Sequence, residues 1–160
     1  MRKFSANLSL HVLFLVALMM ACSGNRVVYE SYHKFDNLSW NRFDILKFSA
    51  TIDDVSTPYD IYMNIRHLPE APYQDITVNF TMFTASGDMR TTDFTFDFYD
   101  QEGARLSKCL GDYCDLLVPV RQGFRLYEAG EVRFEIENKF TKLEMPGIIE
   151  VGIIMRKSEE

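Results

Sequence analysis

The stretch DITVNFTMFTASGDMRTTDFTFDFYD, residues 75–100, decides the fold. Apolar side chains occupy every second position before the turn residues 86–88 and again after them: Ile76, Val78, Phe80 and Met82, then Phe94, Phe96 and Phe98. The positions between them are mainly Thr, Asn and Asp. This alternation predicts an antiparallel hairpin with one face buried and one face in water.

The same period of two continues on both sides of this hairpin. It recurs in residues 46–52, 59–66, 132–137 and 149–155, and the only tryptophan, Trp40, precedes the first of these runs as a core anchor. Residues 104–118 are the least regular part and predict a long loop with short strand pieces. The pattern therefore predicts a single-domain, all-β antiparallel sandwich of about seven strands, with a closed barrel as the alternative.

The N-terminus carries the features of an export signal. Arg2 and Lys3 precede an apolar run of about 14 residues, and Ala21 stands directly before Cys22. A membrane-spanning helix needs roughly 20 apolar residues, so an uncleaved membrane helix is the weaker interpretation. We expect residues 1–21 to be a lipoprotein signal peptide, Cys22 to be the lipid-attachment residue, residues 22–39 a tether, residues 40–157 the domain, and residues 158–160 a tail.

The charge of the chain argues against nucleic acid as a partner. The chain has 17 basic and 23 acidic residues, and loss of Arg2 and Lys3 with the signal leaves 15 against 23. An acidic surface is repelled by phosphates, which disfavours nucleic-acid binding and electrostatic adhesion to anionic lipid. Membrane attachment is therefore expected to come from acyl chains on Cys22, each buried CH₂ contributing on the order of 0.8 kcal/mol.

Two cysteines, Cys109 and Cys114, remain after Cys22. An exported protein meets an oxidising compartment, where neighbouring cysteines tend to pair, so the leading interpretation is a disulfide that closes a small loop. Free thiols and metal or redox chemistry remain alternatives, although four residues separate the cysteines rather than two and no second cluster of metal ligands lies nearby.

Catalytic motifs are absent from the sequence. His33 and His67 lie outside any nucleophile or metal-binding pattern, and there is no GxSxG, HExxH or phosphate-binding glycine loop. We expect neither an enzyme nor a metal or cofactor site, and a small-molecule ligand is disfavoured. Three aromatic side chains fall out of phase with the core and are candidates for an exposed binding platform: Tyr62, Phe83 and Tyr99.

Beyond these patterns, the sequence resembles the GldH-type gliding-motility lipoproteins of the Bacteroidetes. The resemblance runs through VVYESY, FDILKFSATIDD after Trp40, DIYMNIRHLPEAPYQDITVNF with Arg66 and Tyr73, DFTFDFYDQEGARLSKCLGDYCDL, and FRLYEAGEVRFEIENKFTKLEMPGIIEVGIIM. An Asp-x-x-Gly turn, Asp100 to Gly103, followed by Leu110-Gly111-Asp112 is typical of the family's middle segment. This chain departs from the family at Arg105 to Ser107 and in its cysteine pair.

The resemblance implies a non-catalytic accessory lipoprotein of the gliding machinery and the associated type IX secretion system, in contact with other envelope proteins. The position of Cys22 resembles the bacterial lipoprotein box, and this implies diacylglycerol and palmitate on Cys22 as the covalent lipid. No acidic cluster follows Cys22, and in this phylum such clusters mark export to the cell surface, so we expect the outer membrane with the domain facing the periplasm. The competing hypothesis is a glycan-binding outer-membrane lipoprotein, which would require exposed rings at Tyr62, Phe83, Tyr99 and Trp40.

Overall fold

The computed structural model describes residues 26–159, and these form an all-β protein. Eleven strands follow one another along the chain: β1 (Val27–Lys34), β2 (Ser39–Asn41), β3 (Leu46–Ile52), β4 (Tyr59–His67), β5 (Asp75–Phe83), β6 (Met89–Asp97), β7 (Lys108–Leu110), β8 (Tyr113–Phe124), β9 (Gly130–Asn138), β10 (Glu144–Pro146) and β11 (Ile148–Lys157).

The strands form two main antiparallel sheets and one short ribbon. The five-stranded sheet has the order β1-β11-β4-β8-β7, the four-stranded sheet has the order β3-β9-β5-β6, and β10 pairs with β2. The predicted sandwich is confirmed, and the sheets do not join into the alternative barrel. The predicted hairpin of residues 75–100 is β5–β6, which pairs without interruption from Asp75↔Asp97 to Phe83↔Met89.

The core lies between the two main sheets and contains the apolar residues that the period of two marks. The four-stranded sheet contributes Phe48, Val78, Phe80, Phe96, Val132, Phe134 and Ile136, and the five-stranded sheet contributes Ile61, Met63, Ile65, Leu116, Val118, Val151, Ile153 and Met155. Trp40 and Met145, paired across the β10–β2 ribbon, are also buried and close one end of the core. Buried Asn138 is satisfied there, since its Nδ2 donates to the Asn41 carbonyl at 3.0 Å.

The count of about seven strands is wrong, because four strands lack a sustained alternation. Three of them, β2, β7 and β10, have only three residues each. The fourth, β1, lies inside the 22–39 range assigned to a tether and pairs with β11 along the edge of its sheet. No residue of β1 is buried, so its sequence shows no clean apolar period.

Residues 104–118 also differ from the predicted loop. They contain β7 and the first half of β8, a 12-residue strand whose pairing with β4 shifts register twice. Its buried residues Leu116 and Val118 have the apolar but exposed Leu117 between them, so the alternation of the strand was not evident from the sequence.

Candidate interaction surface

The two outward-facing sheet surfaces differ in chemistry. On the four-stranded sheet, polar side chains bond to each other across the strands: Thr77 to Thr95 at 2.8 Å, Thr81 to Thr91 at 3.0 Å, and Asn79 Nδ2 to Asp93 Oδ1 at 2.7 Å. The polar groups of such a surface form hydrogen bonds with one another and with water.

The outward surface of the five-stranded sheet is more apolar, and we call it the aromatic face. Strand register places two rows of side chains across it, Tyr32–Gly152–Asn64–Leu117 and Glu30–Ile154–Tyr62–Pro119. Tyr32 is 39% exposed and Leu117 is 42% exposed, whereas Ile154 between the rings is 5% exposed. Tyrosines beside aliphatic side chains are typical of the central part of protein interfaces.

Gly152 allows the Tyr32 ring to lie across the sheet. A Cβ at position 152 would overlap the ring atoms of Tyr32 and would lie 2.8 Å from the Ser31 carbonyl oxygen. The Tyr32 hydroxyl donates to the Glu30 carboxylate, and burial together with that carboxylate raises the pKa of Tyr32 well above its usual value. The ring is therefore fixed as a neutral, flat contact surface.

A row of alternating charges borders the aromatic face. Register places Lys34, Glu150, Arg66, Asp115 and Lys108 opposite one another across all five strands. Arg66 is at its centre, with two hydrogen bonds to Asp115 at 2.9 and 3.2 Å and one to Glu150 at 3.3 Å. Its guanidinium also lies 4.4 Å from the centre of the Tyr113 ring. The hydrogen bonds to Asp115 are the largest cause of the raised pKa of Arg66.

The three aromatic residues suggested by the sequence do not share a surface. Tyr62 lies on the aromatic face, Phe83 ends β5 in the other sheet, and Tyr99 lies in the connection after β6. An arginine side chain covers each ring, with its Cζ 5.0–5.2 Å from the ring centre. Trp40 is 1% exposed, and its Nε1 donates to the Asp44 carbonyl at 2.9 Å. The platform that glycan binding would require is therefore not assembled from these four residues.

Tyr32 and Leu117 are members of the aromatic face that sequence reasoning missed. Tyr32 lies in β1, which the sequence assigned to the tether, and Leu117 lies in the segment assigned to a loop. The available signal was Gly152, a glycine inside the apolar run of the last strand. Such a glycine often marks the close approach of another group to the sheet.

The cysteine pair lies in the β7–β8 hairpin. The structure joins Cys109 and Cys114 in a disulfide, with Cys114 buried and opposite His67 of β4. The His67 Nδ1–H donates to the Leu68 carbonyl at 2.8 Å, and burial lowers the pKa of His67. Within residues 26–159, no three His, Cys, Asp or Glu side chains are grouped as metal ligands.

Cys22 lies outside the described residues, which begin four positions later. Within the described range, no helix is long and apolar enough to cross a membrane.

An open cleft of about 990 Å³ lies where the described chain begins, lined in part by Arg26, Tyr62, Arg156 and Lys157. Lys157 N donates to the Arg26 carbonyl at 2.8 Å, so β1 begins beside the end of β11.

Comparison with known proteins identifies a family that this chain matches. A family model described as GldH lipoprotein matches residues 27–155. A curated protein from Christiangramia forsetii, named gliding motility lipoprotein GldH homolog, is 22% identical over 156 residues, which are 92% of this chain and 93% of that protein.

Solved structures resemble the chain more loosely. A carbohydrate-binding module specific for non-crystalline cellulose aligns with 81% of this chain and 80% of its own, at 11% identity and a TM-score of 0.43. A family GH115 4-O-methyl-alpha-glucuronidase aligns with 87% of this chain and 18% of its own, at 10% identity and a TM-score of 0.40. Both alignments are too loose to bear on what this chain binds.

Proposed function

We propose, because this chain belongs to the GldH lipoprotein family, that it is a lipid-anchored, non-catalytic accessory component of the gliding-motility machinery and its associated type IX secretion system. The observation that carries this proposal is the family match, which spans residues 27–155 and so includes both main sheets. The role we assign to the domain is to hold or contact other proteins of the cell envelope.

The anchor in this proposal is Cys22, acylated at the periplasmic side of the outer membrane. Three residues separate Cys22 from Arg26, where the described domain begins. A fully extended chain covers roughly 3.3–3.6 Å per residue, so this connection reaches only about 14 Å. The domain would therefore remain close to the lipid surface, and its partners would be membrane proteins or proteins held near the membrane.

The contact surface in this proposal is the aromatic face. It combines half-exposed tyrosines, an exposed Leu117 and a fixed ion-pair row, whereas the four-stranded sheet presents hydroxyls and amides that bond to each other. Tyr and Arg are enriched at protein interfaces, and a few well-packed residues near the centre of an interface supply most of the binding energy.

The test is a crosslinked pull-down of the tagged full-length protein from native membranes, with proteins identified by mass spectrometry. Wild type should recover motility or secretion components, and Cys22→Ala should lose them. Leu117→Lys on the aromatic face should reduce recovery at least tenfold, whereas the matched Thr51→Lys on the four-stranded sheet should retain it.

Each result has a distinct meaning. If the wild type recovers no motility or secretion protein, the proposed function is wrong. If Leu117→Lys recovers the same components as the wild type, the function stands and the aromatic face is not the contact surface.

A further inference from the structure

The strand β6 forms an open edge of the four-stranded sheet. Within the described residues, β6 pairs only with β5. The hydrogen bond from Phe98 N to the Gln74 carbonyl at 2.8 Å fixes the alternation, so even-numbered residues of β6 bond to β5. The backbone N–H and C=O groups of the odd-numbered residues therefore point away from the sheet: Met89, Thr91, Asp93, Thr95 and Asp97.

The β6 edge carries charged residues, Arg90, Asp93 and Asp97, but lacks three other devices that protect such edges. Proteins commonly blunt open edges with proline, bulges or very short strands. The neighbouring edge of β8 has Pro119 and two register shifts, and β7 has only three residues. In contrast, β6 is nine residues long, contains no proline and pairs with β5 in unbroken register.

A slot lies between the β6 and β8 edges and opens towards the core. Its volume is about 110 Å³, and its walls include Ile61, Phe80, Met82, Phe94 and Val120. A strand added beside β6 would continue the pleat of the sheet, so every second side chain of that strand would point towards this slot. The slot therefore suits aliphatic side chains in an extended segment.

The mouth of the slot is positively charged. Arg90 and Arg121 line it, and their guanidinium carbons lie 5.8 and 5.4 Å from the centre of the Phe124 ring. Neither has a carboxylate within ion-pair distance among residues 26–159, although acidic residues outnumber basic residues in this chain. Their charge is available to a carboxylate from outside.

A second copy of the chain is a poor occupant of this edge. Symmetric antiparallel pairing of two β6 strands about Asp93, their central residue, would place two Asp93 carboxylates opposite each other. Like charges directly opposite across a sheet are destabilising.

We propose that the β6 edge accepts an extended segment of another protein, whose inward-facing side chains place a carboxylate against Arg90 and Arg121 and aliphatic groups in the slot. This is strand addition, in which backbone hydrogen bonds supply affinity and alternate side chains supply specificity. The site is separate from the aromatic face, and its test uses synthetic peptides, so its failure leaves the proposed function standing.

The probe is a capped, fluorescein-labelled peptide, Thr-Glu-Thr-Val-Thr-Leu-Thr, added to the full-length lipoprotein in detergent. Fluorescence anisotropy measures its affinity, and hydrogen–deuterium exchange with mass spectrometry locates the binding. We expect saturable binding at or below millimolar concentration, with slower exchange confined to residues 89–97. Replacing the peptide's Glu with Lys should weaken binding at least tenfold.

Matched variants distinguish loss of binding at the β6 edge from a general effect of the substitution on the protein. Thr91→Pro removes an outward N–H of β6 and should abolish binding, whereas Thr51→Pro makes the equivalent change on the opposite edge strand, β3, and should not alter it. The double variant Arg90→Glu with Arg121→Glu should reverse the preference, so that the Lys peptide binds more tightly than the Glu peptide. This reversal tests the proposal even if Thr91→Pro fails to fold.

Three outcomes would overturn the proposal. The first is absence of slower exchange in residues 89–97 at millimolar peptide. The second is equal affinity of the Glu and Lys peptides for wild type and for the double variant Arg90→Glu with Arg121→Glu. The third is protection of this segment that rises with protein concentration in the absence of peptide, which would assign the edge to a second copy.

Discussion

Gly152 is the residue on which the aromatic face depends, and we predict that Gly152→Ala destabilises the protein. The added methyl group would overlap the Tyr32 ring and approach the Ser31 carbonyl, so the ring and β1 would have to move. Overpacking of this kind typically costs about 1–3 kcal/mol. Urea unfolding measures the change.

The double variant Gly152→Ala with Tyr32→Ala provides the control. It removes the conflict with the ring and leaves only the conflict with the backbone, so it should lose less stability than the two single changes added together. Strict additivity would show that the ring does not lie over Gly152.

His67 makes stability depend on pH in the weakly acidic range. Its pKa in the folded protein lies below the ordinary value of about 6.5 because the ring is buried. Below that pH the unfolded chain binds a proton that the folded chain does not, so the free energy of unfolding falls as pH decreases. This one group contributes a slope of at most about 1.4 kcal/mol per pH unit.

The measurement is the urea midpoint between pH 7.5 and 5.5, roughly one unit on each side of that ordinary value. His67→Leu should flatten the dependence, whereas His33→Gln, which changes an exposed histidine, should leave it intact. An unchanged slope in His67→Leu would assign the pH dependence to other groups.

At the scale of the element, Arg66 connects three strands of the five-stranded sheet. Arg66→Ala would leave Asp115 and Glu150 without the cation between them, and we expect a loss of about 1–2 kcal/mol because the side chains are partly exposed. The loss should shrink in high salt, which screens partly exposed charges.

The exposed pair Lys47–Glu135, at 3.3 Å, is the matched comparison. Lys47→Ala should change stability by less than about 0.5 kcal/mol. Equal losses from Arg66→Ala and Lys47→Ala would mean that the ion-pair row has no special role in the sheet.

The β7–β8 hairpin is the element whose pairing depends on a covalent bond. In a Cys22→Ala background, denatured and unreduced protein should show no free thiols, and Cys109→Ser should show one. The loop model of disulfide stabilisation predicts a loss of about 2 kcal/mol for so short a loop. Two free thiols in the Cys22→Ala protein would contradict the disulfide.

Strands with one buried and one exposed face were predictable from the sequence, even at the sheet edges β3 and β6, whereas β1, which has no buried residue, was not. Phe94, Phe96 and Phe98 alternate with polar residues because β6 lies over the core, so period two marks the strand correctly. The sequence of β1 alternates weakly because none of its residues is buried. The aromatic face could not be predicted, since only the register of four strands brings Tyr32, Gly152, Tyr62 and Leu117 together.

At the scale of the whole molecule, attachment should depend on Cys22 alone. Wild type should incorporate labelled palmitate, sediment with membranes and have the size of the mature protein. Cys22→Ala should incorporate no palmitate and should not sediment with membranes as a mature-sized protein. It should keep residues 1–21 and therefore be larger on a gel. Equal membrane attachment and equal size of the two proteins would show that Cys22 is not the anchor.

The first and last strands are neighbours, and this decides where a reporter can be placed. Arg26 and Lys157 meet at one end of the sandwich, whereas the turn at residues 101–103 lies at the other end, beyond β6. A fluorescent protein fused after the last residue would therefore sit against the bilayer and crowd the lipid, while one inserted in that turn would project away from it. Energy transfer from a dye in the membrane to these two fusions would read the orientation of the domain as a difference in distance.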